Sequence, residues 1–162
     1  MAIASPVEPA LKVSVYAVPA QHGPLDGDRD EFGNMNTEVT GFVLLGRGLP
    51  TVYVSGDNAS IGPVIEISKR IDDIQVGVLH MGAARVASKY SGRPLTLTAD
   101  RATDVAELLG LSVVIPVHCE EWSLYSEGPV HIRKSFEEAG IAQVSELARV
   151  GRGCCERTHR CC

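Results

Sequence analysis

The chain has 162 residues, about one domain's worth and long enough to bury a core without disulfide staples. With 44% hydrophobic and 22% charged residues it has the make-up of a folded globular domain, which argues against wholesale disorder and against a collagen-like repeat. Its net charge of −5, without a run of Lys/Arg interleaved with aromatics, gives no nucleic-acid patch. The apolar runs are too short for a membrane span, and the Met1-Ala2-Ile3-Ala4-Ser5-Pro6 start lacks the basic and apolar regions of a secretory signal, so the expected compartment is the cytoplasm.

Residues 1–10, with Pro6 and Pro9, read as a loose leader to a domain over 11–150. A first strand is predicted from Lys12 to Val18 by the alternation of Val13 and Val15 with Ser14 and Tyr16, stopped by Pro19, and it delivers His22. Leu25 to Asn36 is acidic and glycine-bearing with few apolar residues, a solvated loop. Gly41–Leu45 and Thr51–Ser55 form a hairpin around Gly46-Arg47-Gly48-Leu49-Pro50, and the second arm leads to Gly56-Asp57-Asn58. Pro63 suits the first turn of a helix carried by Val64, Ile67 and Ile71.

Gln75–Leu79 is a strand ending at His80-Met81-Gly82. Leu95–Thr98 is predicted as a further strand, followed by a helix with Thr98 as N-cap, Ala102, Val105, Ala106 and Leu109 on one face and Gly110 as its stop. Ser112–Val117 is nearly all β-branched, hence a strand buried on both sides, and it ends at His118. Pro129 opens a last helix through Ile132 and Phe136 to Gly140, and Ile141–Val150 is open to either strand or helix. The order of elements favours an α/β layered architecture in one domain, without strict alternation of strand and helix.

Three residue types able to bind a metal fall just past predicted strand ends: His22, Asp57 and His118. Sheet ends are where α/β proteins gather reactive groups, because the sheet fixes position while the loop leaves side chains open. Spacing alone does not require a metal. A turn role for Asp57, a capped strand end for His118 and an ordinary loop for His22 are equally consistent with the residues. His80 reads either as a satisfied structural histidine or as a residue lining the same edge. Cys119 reads as a small buried hydrophobe, Trp122 as an aromatic packed at the strand end, and His131 as helix surface.

The segments Val18-Pro19-Ala20-Gln21-His22-Gly23-Pro24, Val39-Thr40-Gly41-Phe42-Val43-Leu44, Val52-Tyr53-Val54-Ser55-Gly56-Asp57, Leu79-His80-Met81-Gly82 and Ile115-Pro116-Val117-His118-Cys119-Glu120-Glu121-Trp122 occur in that order. Over roughly residues 12–147 they resemble the metallo-β-lactamase superfamily, in its lactonase- and phosphodiesterase-like branch of metal-dependent hydrolases. The resemblance implies layered β-sheets with outer helices, an incomplete αββα sandwich, and a small-molecule substrate. It also implies a divalent metal, zinc first and manganese or iron as alternatives, held by His22, Asp57 and His118, with Asp57 as the bridging and catalytic carboxylate. Hydroxide generated from bound water would then attack an ester, lactone or phosphodiester.

The family's His-x-His-x-Asp-His segment is absent, and no histidine precedes His22. The chain therefore reads as the C-terminal portion of such a domain with an incomplete metal site. Two functions follow as alternatives: a truncated hydrolase, or a non-catalytic half-fold module that binds a partner chain or is vestigial. Loss of one layer would expose an apolar sheet face, so a homodimer or pairing through that face is expected. Cys154, Cys155, Cys161 and Cys162 crowd a tail over residues 151–162, expected to be disordered, with no zinc-finger spacing and no spread through the chain that a disulfide framework needs.

Overall fold

A computed structural model describes residues 12–24, 32–33 and 37–145. The readings made for residues 1–10, for most of the acidic loop and for the Cys-rich tail lie outside these residues. Five strands form one sheet in the order β1-β2-β3-β4-β5, comprising β1 (Val13–His22), β2 (Thr37–Gly46), β3 (Thr51–Val54), β4 (Ile74–His80) and β5 (Val113–Val117). The first three are antiparallel neighbours, and β3, β4 and β5 run parallel. Parallel neighbours need crossovers, and α1 (Ile61–Ser68) and α2 (Ala99–Leu109) supply them, followed by α3 (Pro129–Glu138).

Local chemistry starts and stops these helices as the sequence suggests. The Ser60 side chain accepts from Gly62 N at the start of α1, with Pro63 inside its first turn. Thr98 caps α2 through Arg101 N, and Gly110 closes it in the left-handed conformation at φ 62°. The buried stripe of α2, Ala102, Val105 and Ala106, joins Val64 and Ile67 of α1 and Ile132 and Phe136 of α3 in one core. Against them the sheet presents Val43, Tyr53 and Val114, in one row with Gly77 between the last two, and Leu79 two residues further along β4, all four side chains fully buried.

Among the described residues, no helix covers the opposite face of the sheet. Val15 is 60% exposed and Ile115 39%, with Val13 and Phe42 also exposed on that side. This corrects the reading of β5 as buried on both faces: Val114 is covered, but its neighbour Ile115 is not, because the helices among the described residues lie on the side of Val114. The architecture is a mixed β-sheet with outer helices, not closed into a barrel, matching one half of an αββα sandwich.

Two further predictions are corrected. β1 does not stop at Pro19 but runs on to His22, with Pro19 opposite Thr40. As an edge strand, β1 needs no ladder bond from the missing proline N–H, so the ring costs nothing there. Leu95–Thr98 is not a strand. Leu95 N bonds to Ala84 O, Ala83 N to Leu97 O and Gly23 N to Leu95 O, and the Thr96 hydroxyl accepts from Ala84 N. These scattered bonds satisfy a buried extended segment without building a ladder. Ile141 onward gives a short 3₁₀ turn at Ala142–Val144. Among the described residues no helix is long and apolar enough to cross a membrane.

Candidate metal centre

The candidate residues gather where β1, β3, β4 and β5 end. His22 is the last residue of β1, Asp57 lies three residues beyond β3, His80 closes β4 and His118 follows β5 directly. The turn after β3 is built for this placement. Gly56 adopts φ 57°, and a Cβ there would meet Thr40 O at 2.7 Å, so both conformation and space call for glycine. Asn58, fully buried, accepts from Gln21 N at 3.0 Å and from Ser60 N, while its amide donates to Ser60 O. Ala59 N donates to Gln21 O at 2.7 Å. These bonds clamp the Asp57 turn onto the residue preceding His22, so two side chains far apart in the chain share one rim.

His118 sits at φ 56°, a left-handed conformation that costs a residue with a Cβ about 1 kcal/mol or more. Its Nδ1 is buried without a hydrogen-bond partner and lies 3.6 Å from Asp57 Oδ1. That is too long for a hydrogen bond. The separation does suit two atoms holding one ion: ligands each about 2.0–2.2 Å from a common centre can stand up to ~4 Å apart. An orphaned imidazole nitrogen facing a carboxylate, both donor types apt for a borderline divalent ion, fits a metal.

His80 stands beside them, its ring centroid 5.3 Å from that of His118. His22 and His80 are both shifted toward the neutral form. Burial lowers the affinity of His22 for a proton, opposed by Asp57 and reinforced by Lys89 and His118. Burial does the same for His80, opposed by Asp57 and reinforced by His118. Neutral imidazole is the ligand form. Among the described residues, however, no group of three or more His, Cys, Asp or Glu side chains is drawn together as a closed ligand set.

Depressed histidines have a consequence for stability. Below the ordinary value of 6.5 the unfolded chain takes up these protons before the native one, so the contribution is complete above that value and lost as pH falls through the native values. The metal-free protein should therefore melt at progressively lower temperature as the pH is taken below about 6.5, and the double change His22→Gln, His80→Gln should flatten that slope. A melting temperature that is level or rises on acidification would contradict the assignment.

Sequence reasoning missed two members of this rim. Ser55, fully buried, accepts from His80 N at 2.9 Å and lies 3.3 Å from His80 Nδ1. Tyr125 packs edge-on against His118 at 4.7 Å between centroids. Neither carries a local signal, since each acts through a neighbour that only the fold supplies. Trp122 is 57% exposed and touches His118 and Tyr125 edge-on at 6.1 and 5.8 Å, so it shields the strand end only partly. Cys119 is buried and its thiol is raised by burial and by Glu120, as suits a packed hydrophobe. His131 is exposed on α3. A groove of about 640 Å³ between β1, β2 and α1, lined by residues such as Val18, Leu45, Ile67 and Ile71, includes none of the candidate ligands.

The sequence profile of the family described as "Beta-lactamase superfamily domain" matches residues 1–119. The chain belongs to this family. The match begins ahead of the stretch that carries the resemblance in the sequence, and it takes in His22, Asp57 and His80 and ends one residue past His118. A UPF0173 metal-dependent hydrolase of Pelotomaculum thermopropionicum is 26% identical to this superfamily chain over 140 residues, 84% of this chain and 54% of the relative. The chain thus spans about half the length of the curated relatives it matches.

Among solved structures, isothiocyanate hydrolase from Delia radicum gut bacteria superposes with a TM-score of 0.69 at 20% identity, covering 82% of this chain and 50% of that one. CmlA, a diiron β-hydroxylase from Streptomyces venezuelae, superposes at 0.57 with 14% identity, covering 82% of this chain and 30% of its own. These likenesses show the shared fold, which carries different chemistries in those two proteins.

Proposed function

We propose that this superfamily chain is part of a metal-dependent hydrolase acting on an ester, lactone or phosphodiester, and that it corresponds to the C-terminal portion of the domain. One observation carries the reading: the buried, unpartnered Nδ1 of His118 facing Asp57 at the strand ends of this fold. His118 and Asp57 would hold a divalent ion, zinc by donor type and manganese or iron as alternatives, with His22 on the same rim. Such an ion, when bound, supplies Lewis acidity to polarise an acyl or phosphoryl oxygen and to activate water.

The chain's own residues contribute positioning. The Asn58 clamp keeps His22 and the Asp57 turn together, and the Asp57 carboxylate, 40% exposed, is open to solvent and to a substrate entering from that side. Its second oxygen is available to orient a water by hydrogen bonding. Trp122 and Tyr125 offer aromatic surface beside His118 for an apolar part of the substrate.

A second reading, a non-catalytic half-fold module, is favoured by the lack of a closed ligand set among the described residues. One experiment separates the two. The purified chain is loaded with zinc or manganese, desalted and assayed for metal content and for turnover of a lactone, an aryl ester and an aryl phosphodiester, with and without chelator. The hydrolase reading expects retained metal and chelator-sensitive turnover. Metal without turnover favours the module, and neither overturns the metal assignment.

A further inference from the structure

We infer that the sheet face turned away from the helices is a homodimer interface, on which a second copy of this chain lays the same face of its own sheet. The residues on that face line up across all five strands. Val15 is paired with Leu44, Leu44 with Val52, Val52 with Val76 and Val76 with Val113. The next row runs from Ala17 through Phe42, Val54 and Val78 to Ile115. Every position in the two rows is apolar, and none is buried. The alternate positions of the same strands send Val43, Tyr53, Leu79 and Val114 against the helices. Strands apolar on both faces are the kind that need cover on both. Single exposed apolar residues are ordinary, but an apolar patch continuous from one edge of a sheet to the other marks a contact surface.

The occupant has to be broad, twisted with the same hand and uncharged over both rows, and this chain itself carries such a surface. Twisted sheets stack face to face with their strands within about 30° of each other, and a two-fold axis lying between the layers makes one patch serve both copies. Such a contact closes on itself, leaving no second apolar face to recruit further copies. Because the rows carry no charge, the net charge of −5 on each copy is not brought face to face there. The size also suits a dimer. Strands about 4.8 Å apart and outward positions about 6.8 Å apart give five strands with two to three such positions each a face of roughly 24 by 20 Å, or about 500 Å² in projection. Pleating and the rim at both strand ends bring this toward the ~800 Å² per partner of a stable interface. The chain spans about half the length of its curated relatives, and two copies reach that length.

The test is sedimentation equilibrium of the full chain over a dilution series, comparing unsubstituted protein with Val15→Glu, Ile115→Glu and Val130→Glu. Val15 and Ile115 lie on the face, 60% and 39% exposed, so a carboxylate there is tolerated by the monomer. In the pair it would be stripped of water and its two-fold copies would repel. Val130, 76% exposed on α3, belongs to the helical side. Unsubstituted chain and Val130→Glu should sediment at twice the monomer mass, and Val15→Glu and Ile115→Glu should associate more weakly by on the order of 100-fold or more. A monomer at every concentration, an open series of aggregates, or a dimer that survives both face substitutions overturns the inference, as does one lost through Val130→Glu. None of these outcomes touches the metal reading, which metal content decides. Should the face variants not fold, isotope-filtered NMR on a mixture of labelled and unlabelled unsubstituted chain decides: contacts between copies are expected at Val15, Phe42 and Ile115, and contacts confined to the helices overturn the inference.

Discussion

Asp57→Ala is expected to abolish retention of zinc or manganese after desalting, weakening affinity by on the order of 100-fold or more, and to remove any chelator-sensitive hydrolysis. The carboxylate is the only anionic group set against the orphaned Nδ1 of His118 among the described residues, at 3.6 Å. Without it, a dication would face imidazoles alone, with no charge to offset its own. The fold should survive, because the side chain is 40% exposed and the turn is held by Asn58, Gly56 and Ala59 rather than by Asp57 itself. Circular dichroism and melting close to those of the unsubstituted chain, combined with loss of bound metal by elemental analysis, would be the expected pair of results. Unchanged metal content would remove Asp57, and with it the proposed centre.

Gly82→Ala should do the reverse, damaging the fold and the site together. A Cβ at Gly82 would collide with the His118 carbonyl oxygen and stand 2.9 Å from Cys119 Cα and 3.0 Å from a Tyr125 ring carbon. Backbone atoms cannot swing aside as a flexible side chain can, so the His118 loop must move, at a cost of about 1–3 kcal/mol. That loop is bound to this segment throughout: Ser126 N and Glu127 N both donate to Gly82 O, Arg85 N donates to Leu124 O, and the Ser126 hydroxyl donates to Ala83 O. Glu127 from the same loop also caps α2 through Ala99 N at 2.6 Å. A displaced loop would thus loosen His118 and a helix start at once.

The expected result is a melting temperature several degrees lower together with weaker zinc binding. Gly128→Ala is the reference, since its Cβ would meet nothing nearer than Cys119 O at 3.7 Å; it should cost about 1 kcal/mol or less. Equal melting temperatures for the two variants would show that the close approach of the Gly82 and His118 segments does not constrain the site.

What could be read along the chain was what local chemistry decides. Helix α2 announced itself by Thr98, its apolar stripe and Gly110, because capping and periodicity act within one or two turns. The hairpin of β2 and β3 and the helix opened near Pro63 were legible for the same reason, as was the surface position of His131. His22, Asp57 and His118 could be picked out as candidates, since strand ends are visible in sequence and the ordered segments around them resemble a family. Errors arose wherever the deciding partner was remote in the chain. Pro19 stays in β1 because the strand lies at an edge, a fact of sheet order that the residue itself does not carry. Leu95–Thr98 has the composition of a strand, but its bonds are divided among Gly23, Ala83 and Ala84 and build no ladder. Ile115 is exposed because the helices among the described residues cover only the other face, although its run of β-branched neighbours is what a doubly buried strand would show.

The site divides in the same way. Residue type alone determined which side chains could bind an ion. Only the tertiary structure decided that Asn58 would clamp the Asp57 turn beside His22, that Ser55 would stand against His80, and that His118 would turn an unpartnered nitrogen toward a carboxylate 61 residues earlier in the chain. Those arrangements depend on hydrogen bonds and packing between distant segments, and such contacts leave no periodicity or spacing in the sequence to be read.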